Sequence, residues 1–198
     1  MQQTQDRNNR CKHRTSRRRF LRGAGATLML SPIFSASARR ADGQVAASNR
    51  ITVGIVGCGC MGRGHVRRMA NSAEAQVLAV CDVDRVRVEK AKVTVDQSQG
   101  HGAAGGCTIY NNYRDLLARD DMDAVVIVTP DHWHSPMSIH AAQAGKDVYC
   151  EKPVSVTVAE GRQMVEAVQR YGRVFQNGSQ YRTNPTIRRA CEFVRAGG

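Results

Sequence analysis

Apolar positions along the chain fall into short runs separated by longer segments with helical spacing, and this alternation begins at Ile51. Strand-like runs occur at 51–57, 76–81, 108–110, 124–128, 147–150 and 173–176. Each is too short for a helix and rich in Val, Ile, Tyr or Cys, as a buried strand is. The helical segments carry their own punctuation. Ser135-Pro136 predicts an N-cap with proline at the first helical position and Gly145 at the far end. Thr157 with Glu160 predicts a capping box before Met164, Val165, Val168 and Gly172, and Asn184-Pro185 opens a last helix bearing Ile187, Cys191 and Val194, ended by Gly197. Strict alternation of strand and helix predicts a parallel sheet, because each parallel connection needs a crossover. The expected fold class is therefore α/β, a doubly wound parallel sheet of about six strands. The Gly-rich stretch 97–106 reads as a loop, residues 39–50 as a linker without structure, and there is no internal repeat.

Composition adds a leader to this picture. The chain has 198 residues and a net charge of +12, but eight basic residues against Asp6 alone lie before residue 39, leaving 21 basic and 16 acidic side chains in the remainder. No basic stripe interleaved with aromatics is present, so a nucleic-acid partner is not expected. Ser16-Arg17-Arg18-Arg19-Phe20-Leu21-Arg22 resembles a twin-arginine export signal at every position. A Gly/Ala-rich apolar stretch and the small residues Ala36-Ser37-Ala38 follow, which predicts cleavage after Ala38 and export through the twin-arginine machinery to the periplasm. The apolar run is broken by Ser31-Pro32 and is too short for a stable membrane span. Seven cysteines show no zinc-finger spacing. Cys81, Cys107 and Cys150 lie in or beside strand-like runs, so burial as small hydrophobes is expected rather than disulfide pairing.

The candidate chemistry lies where the predicted strands end. Gly57-x-Gly59-x-x-Gly62 follows the first strand where a helix should begin. Gly57 allows the tight turn, Gly59 the approach of a pyrophosphate to the backbone, and Gly62 close helix–strand contact. The expected pyrophosphate contacts are Gly57, Gly59, Cys60, Met61 and Gly62, at the amides of a helix N-terminus. Asp82 ends the second strand twenty residues after Gly62, the spacing of a carboxylate that accepts ribose hydroxyls. It favours NAD over NADP, although Arg85 or Arg87 could offset its repulsion of a 2′-phosphate. After the fourth strand, Asp131, His132 and His134 could be read as metal ligands, but no further ligand lies at a completing distance and no metal is expected. The fifth strand runs into Glu151-Lys152-Pro153. In a doubly wound sheet the strand ends form the ligand crevice, so both charges are expected there rather than buried in the sheet. A partly desolvated Lys152 would suit proton exchange with a substrate hydroxyl, with Glu151 positioning a ribose or the lysine and Pro153 fixing the chain direction through a cis bond. A solvated strand-end ion pair accounts for the same residues equally well.

The run Thr129-Pro130-Asp131-His132-Trp133-His134, continued by Ala144-Gly145-Lys146-Asp147-Val148-Tyr149-Cys150-Glu151-Lys152-Pro153, resembles the glucose-fructose oxidoreductase, inositol dehydrogenase and rhizopine-catabolism group (Gfo/Idh/MocA). The glycine loop, Asp82 and Ser179-Gln180-Tyr181-Arg182-Thr183-Asn184-Pro185 are similar too. The resemblance implies a Rossmann domain over residues 51–180 that binds NAD, with NADP as an alternative, in which Lys152 is the catalytic proton-transfer residue. Thr129, Pro130, His134, Glu151 and Arg182 would contact the cofactor. It further implies a carbohydrate-like substrate, with an NAD(P)-dependent oxidoreductase acting on a sugar, cyclitol or related polyol as the expected activity. An NAD-retaining glycosidase of the same fold and a binding-only domain are the alternatives. Family members carry a second α/β substrate domain that supplies an Asp…His pair and builds a homo-oligomer. The resemblance implies that this domain is missing here, with residues 181–198 as its beginning. The 198-residue chain is then a fragment or a short form, expected to bind NAD weakly and turn over little.

Overall fold

The alternation of strand and helix becomes a six-stranded, wholly parallel sheet in a computed structural model, which describes residues 49–100 and 106–198. The strands are β1 (Ile51–Val56), β2 (Ala75–Cys81), β3 (Thr108–Tyr110), β4 (Ala124–Ile127), β5 (Asp147–Cys150) and β6 (Phe175–Asn177), in the order β3-β2-β1-β4-β5-β6. The connecting helices are α1 (Cys60–Ala70), α2 (Arg85–Gln99), α3 (Tyr113–Leu117), α4 (His134–Gln143) and α5 (Val158–Tyr171), and α6 (Pro185–Arg195) follows β6. The order reverses between β1 and β4, so the crevice of a doubly wound sheet opens above their carboxyl ends.

Parallel strands covered on both faces need apolar side chains on both. Val53, Ile55, Val77 and Val126 meet Val66, Ala70, Val88, Ala91 and Val95 of α1 and α2 on one face. Ala79, Val125, Ile127, Val148 and Cys150 meet Tyr113, Leu116, Leu117, Met137 and Ala141 of α3 and α4 on the other. Cys58, Cys81, Cys107 and Cys150 are buried free thiols, each pushed up to about 12, chiefly by burial. Lys146, also buried, donates to the Arg119 and Met122 carbonyls and so closes the turn that leads into β4.

The helix ends correct two expectations and match two others. Thr157 and Glu160 form the capping box, with Gly172 left-handed at the other end, and Asn184 Oδ1 accepts from the amides of Thr186 and Ile187. Ser135, however, is not an N-cap. The segment Asp131–Trp133 already winds into a 3-10 turn, α4 starts at His134, and Ser135 is buried with its hydroxyl donating to the Glu160 carbonyl at 3.4 Å. Pro136 still lies in the first helical turn, where a missing N–H costs nothing. The stretch read as a loop from residue 97 is helical to Gln99 and stops at Gly100 (φ +65°). Gln99 holds that last turn to β2 by accepting from the Val77 amide. Residues 101–105, the leader and most of the 39–50 linker lie outside the described residues.

Candidate functional site

The three glycines of the first turn have distinct surroundings. Gly57 has φ +95°, and a Cβ there would lie 2.3 Å from the Val128 carbonyl oxygen; its amide donates to the Cys81 carbonyl at 2.8 Å. A Cβ on Gly62 would lie 2.0 Å from the Gly57 carbonyl oxygen, so the helix can approach the turn only as glycine. Gly59 differs. The nearest atom to a Cβ there is on the Arg87 guanidinium, 3.6 Å away, which leaves its backbone open toward the crevice. Gly59 is also the N-cap of α1, with no side chain capping the helix and no acidic residue in its first turn. Unpaired amides at a helix start suit an anion.

A cleft of about 690 Å³ lies over these strand ends. Gly57, Gly59, Met61, Asp82, Thr129, Pro130, Glu151 and Lys152 all line it. Asp82 is already engaged: Oδ2 accepts from the Cys58 amide at 2.7 Å and Oδ1 from the Asp84 amide at 2.9 Å. The carboxylate thus shapes the glycine loop as well as facing the cleft. Arg87 lines the cleft and pairs with Asp84 at 3.2 Å, whereas Arg85 pairs with Glu89 on the exposed side of α2. Trp133, Tyr113 and Arg114 form the far wall. The Tyr113 hydroxyl is fixed to His140 Nδ1 at 2.8 Å, and the Arg114 guanidinium stands over the Tyr113 ring at 4.7 Å.

Four of the expected cofactor contacts do not line this cleft. Gly62 stands behind Gly57. Cys60 is exposed at the first position of α1, beside a smaller pocket with Arg63 and Lys90. His134 is 1% exposed and clamped between two loops, with Nε2 at 3.0 Å from the Thr129 carbonyl and Nδ1 at 2.5 Å from the Pro153 carbonyl. It holds the cleft-lining loops together, and with both ring nitrogens facing carbonyls it has none to offer a metal. No group of three or more metal-ligating side chains occurs among the described residues. Arg182 lies exposed in the 3-10 turn Gln180–Thr183.

The largest correction concerns Glu151, which is buried. It is 4% exposed, and Oε1 accepts from His65 Nε2 at 2.8 Å and from Gln180 Nε2 at 3.2 Å. Oε2 accepts from the Lys152 amide at 3.1 Å. The carboxylate is therefore held from a helix, not by the ammonium of its neighbour Lys152. Burial raises the Glu151 carboxyl, but the His65 bond, the Lys152 amide and Gln180 outweigh it and hold the group below its ordinary range. Lys152 itself is exposed, not partly desolvated, and its ammonium has no partner among the described residues; the peptide that follows it is cis. Sequence reading passed over His65, although a trace existed: Gly62, His65, Val66 and Ala70 are the buried residues of α1, and a histidine on an apolar helical face needs a partner.

A dinucleotide fits what is here. Gly59 leaves backbone open where phosphate belongs, and the Thr129 hydroxyl is buried at the cleft without a hydrogen-bond partner among the described residues. Residues 51–179 match the profile of the Gfo/Idh/MocA group, described as an oxidoreductase family with an NAD-binding Rossmann fold. A glycosyl hydrolase family 109 protein of Shewanella pealeana is 31% identical over 169 residues, covering 78% of this chain and 37% of that protein. An inositol 2-dehydrogenase of Salmonella typhimurium is 34% identical over 126 residues, covering 62% and 34% respectively. Among solved structures, scyllo-inositol dehydrogenase of Lactobacillus casei, with bound NAD(H) and scyllo-inositol, superposes with a TM-score of 0.64 at 27% identity, covering 75% of this chain and 42% of that one. The chain thus spans well under half the length of these relatives.

Ionised Glu151 stabilises the fold fully above the ordinary glutamate range, and that contribution is lost as pH falls through its depressed folded value. Glu151→Gln is expected to cost about 2 kcal/mol near pH 7, as loss of hydrogen bonds to a charged group does. In thermal melts the difference between the two proteins should shrink below about pH 4. A difference that stays constant down to about pH 3 contradicts the assignment.

Proposed function

The chain belongs to the Gfo/Idh/MocA oxidoreductase family, and from that membership we propose that it is the cofactor half of an NAD-dependent oxidoreductase in which Lys152 moves the substrate's proton. The observation that carries the proposal is Lys152 itself. It lines the cleft, its ammonium has no partner among the described residues, and its backbone is anchored by part-buried bonds on both sides. NAD, when bound, supplies the two-electron acceptor. The chain's own residues do the rest. The open backbone at Gly59 and the amides after it receive the pyrophosphate, and Asp82 keeps acceptor capacity for a ribose diol. Lys152, as the free amine, takes the proton of a substrate hydroxyl as the carbon bearing it is oxidised, and returns it in the reverse direction. The names of the Salmonella and Lactobacillus relatives support a cyclitol or related polyol as substrate.

A second reading has its own support, since the Shewanella relatives are named glycosyl hydrolases. In that case oxidation is transient and the same residues serve cleavage of a glycosidic bond. Sugar release from a glycoside without net NADH marks that case, and NADH formation from an inositol marks the first.

Trp133 is the chain's single tryptophan and borders the cleft, so NADH titration is expected to quench its emission. Lys152→Ala should leave that affinity within about threefold and lower turnover of the intact protein at least about a hundredfold, as loss of a general base does. Unchanged turnover contradicts the role given to Lys152, and absence of quenching contradicts the cofactor site.

We also propose export by the twin-arginine machinery, supported by Ser16–Arg22 and Ala36–Ala38. No helix among the described residues is long and apolar enough to cross a membrane. N-terminal sequencing of the periplasmic protein should begin at Arg39. An unprocessed cytoplasmic protein contradicts the proposal.

A further inference from the structure

An exposed lysine whose ammonium has no partner among the described residues is placed by its backbone, so the bonds that fix residues 151–153 decide where Lys152 can act. On one side, the Glu151 amide donates to the Ile127 carbonyl at 3.0 Å, continuing the β4–β5 ladder. On the other, His134 holds the Pro153 carbonyl. Between them the lysine's own amide donates to Glu151 Oε2 at 3.1 Å, so the glutamate carboxylate folds back beneath the peptide that follows it. That carboxylate is in turn held by His65 at 2.8 Å, with both side chains almost wholly inaccessible.

His65 lies on α1, three residues after Gly62, and α1 is the helix whose uncapped N-terminus faces the phosphate side of the cleft. Its ring is fixed on both faces of the problem. It tilts against Tyr149 with centroids 5.4 Å apart, and Nδ1 is buried without a partner among the described residues. An unpaired acceptor nitrogen costs less than an unpaired N–H, so the proton belongs on Nε2, donated to Glu151. Gly178 presses on the same carboxylate: a Cβ there would lie 2.9 Å from it. The carboxylate therefore has little room to take another position.

Stability alone is a weak reason for such a pair, since two well-packed apolar side chains in the same space serve a fold as well or better. What an apolar pair cannot supply is the acceptor for the Lys152 amide. We propose that His65 is a positioning residue for Lys152: through the buried Glu151 carboxylate it ties the phosphate-binding helix to the loop that carries the lysine, coupling occupancy of the glycine loop to placement of the lysine. The inference rests on the assignment of Lys152 and NAD made above. Coupling of this kind is reciprocal, so whatever cofactor binding does to the lysine loop, the loop does to cofactor binding.

The experiment measures acylation of Lys152 by dilute acetic anhydride, mapped by peptide mass spectrometry, with and without saturating NAD, beside Trp133 quenching on the same samples. In the unaltered protein NAD should slow acylation of Lys152 about tenfold. His65→Gln, whose amide nitrogen can still donate to Glu151, should keep that protection. His65→Leu should keep NAD affinity within about threefold while protection falls below about twofold. Glu151→Gln serves if His65→Leu does not fold. Its amide nitrogen cannot accept from Lys152 N–H while its oxygen accepts from His65, so it too should lose protection. Full protection retained in the variant that folds overturns the proposal. Absence of Trp133 quenching in the unaltered protein is a different failure: it removes the cofactor assignment, and the coupling falls with it. Quenching without protection of Lys152 overturns the role of the lysine and of His65 together.

Discussion

Burying the Glu151 carboxylate at the end of β5 is the constraint on which the site depends. An isolated charge in that position would be prohibitively costly, and the fold meets the cost with an imidazole, a side-chain amide and a backbone amide brought from three places. Those donors come from α1, from the turn after β6 and from the residue next in sequence. The carboxylate thereby becomes the joint at which α1, the loop that follows β5 and the segment leading to α6 meet. Lys152, which follows it, is left with its ammonium in the cleft and its backbone held.

The glycine loop obeys a related logic of close approach. Gly62 closes on the Gly57 carbonyl and Gly57 on the Val128 carbonyl just after β4, so neither accepts a side chain, while a Cβ on Gly59 would meet the Arg87 guanidinium at an ordinary 3.6 Å. Asp82 then binds the loop from the end of β2 through the Cys58 amide. Four adjacent features, the loop, the start of α1, the end of β2 and the end of β4, are thus fixed relative to one another before any ligand arrives. Preorganisation of this kind lowers the ordering cost of binding. It also explains why His134 is buried: by bridging the Thr129 and Pro153 carbonyls, it fixes the two remaining loops that line the cleft.

The strands, their order of appearance, the capping box at Thr157 and the glycine loop were legible because each is written locally, in periodicity or in residues a few positions apart. Asp82 was legible through spacing on a fold already inferred. Gly57 leaves β1 for the reason its sequence position suggested, a positive φ at the turn. The burial of Glu151 was not legible, since its partner His65 lies 86 residues away and only the completed sheet brings α1 over the end of β5. Ser135 had the local signature of an N-cap, yet the preceding 3-10 turn started the helix two residues early and tertiary packing took the hydroxyl for a carbonyl of α5. His134 was expected at the cofactor because the family resemblance implied it; its carbonyl partners are a tertiary fact that sequence does not display.

The most direct test is a crystal structure of the protein with NAD bound. The pyrophosphate should lie on the amides that follow Gly59, a ribose diol should face Asp82, and the Lys152 ammonium should stand about 3–4 Å from the position where a substrate hydroxyl meets the nicotinamide ring. A dinucleotide bound with its nicotinamide end directed away from Lys152, or bound without contact to the glycine loop, would contradict the assignment of this cleft and of the lysine within it.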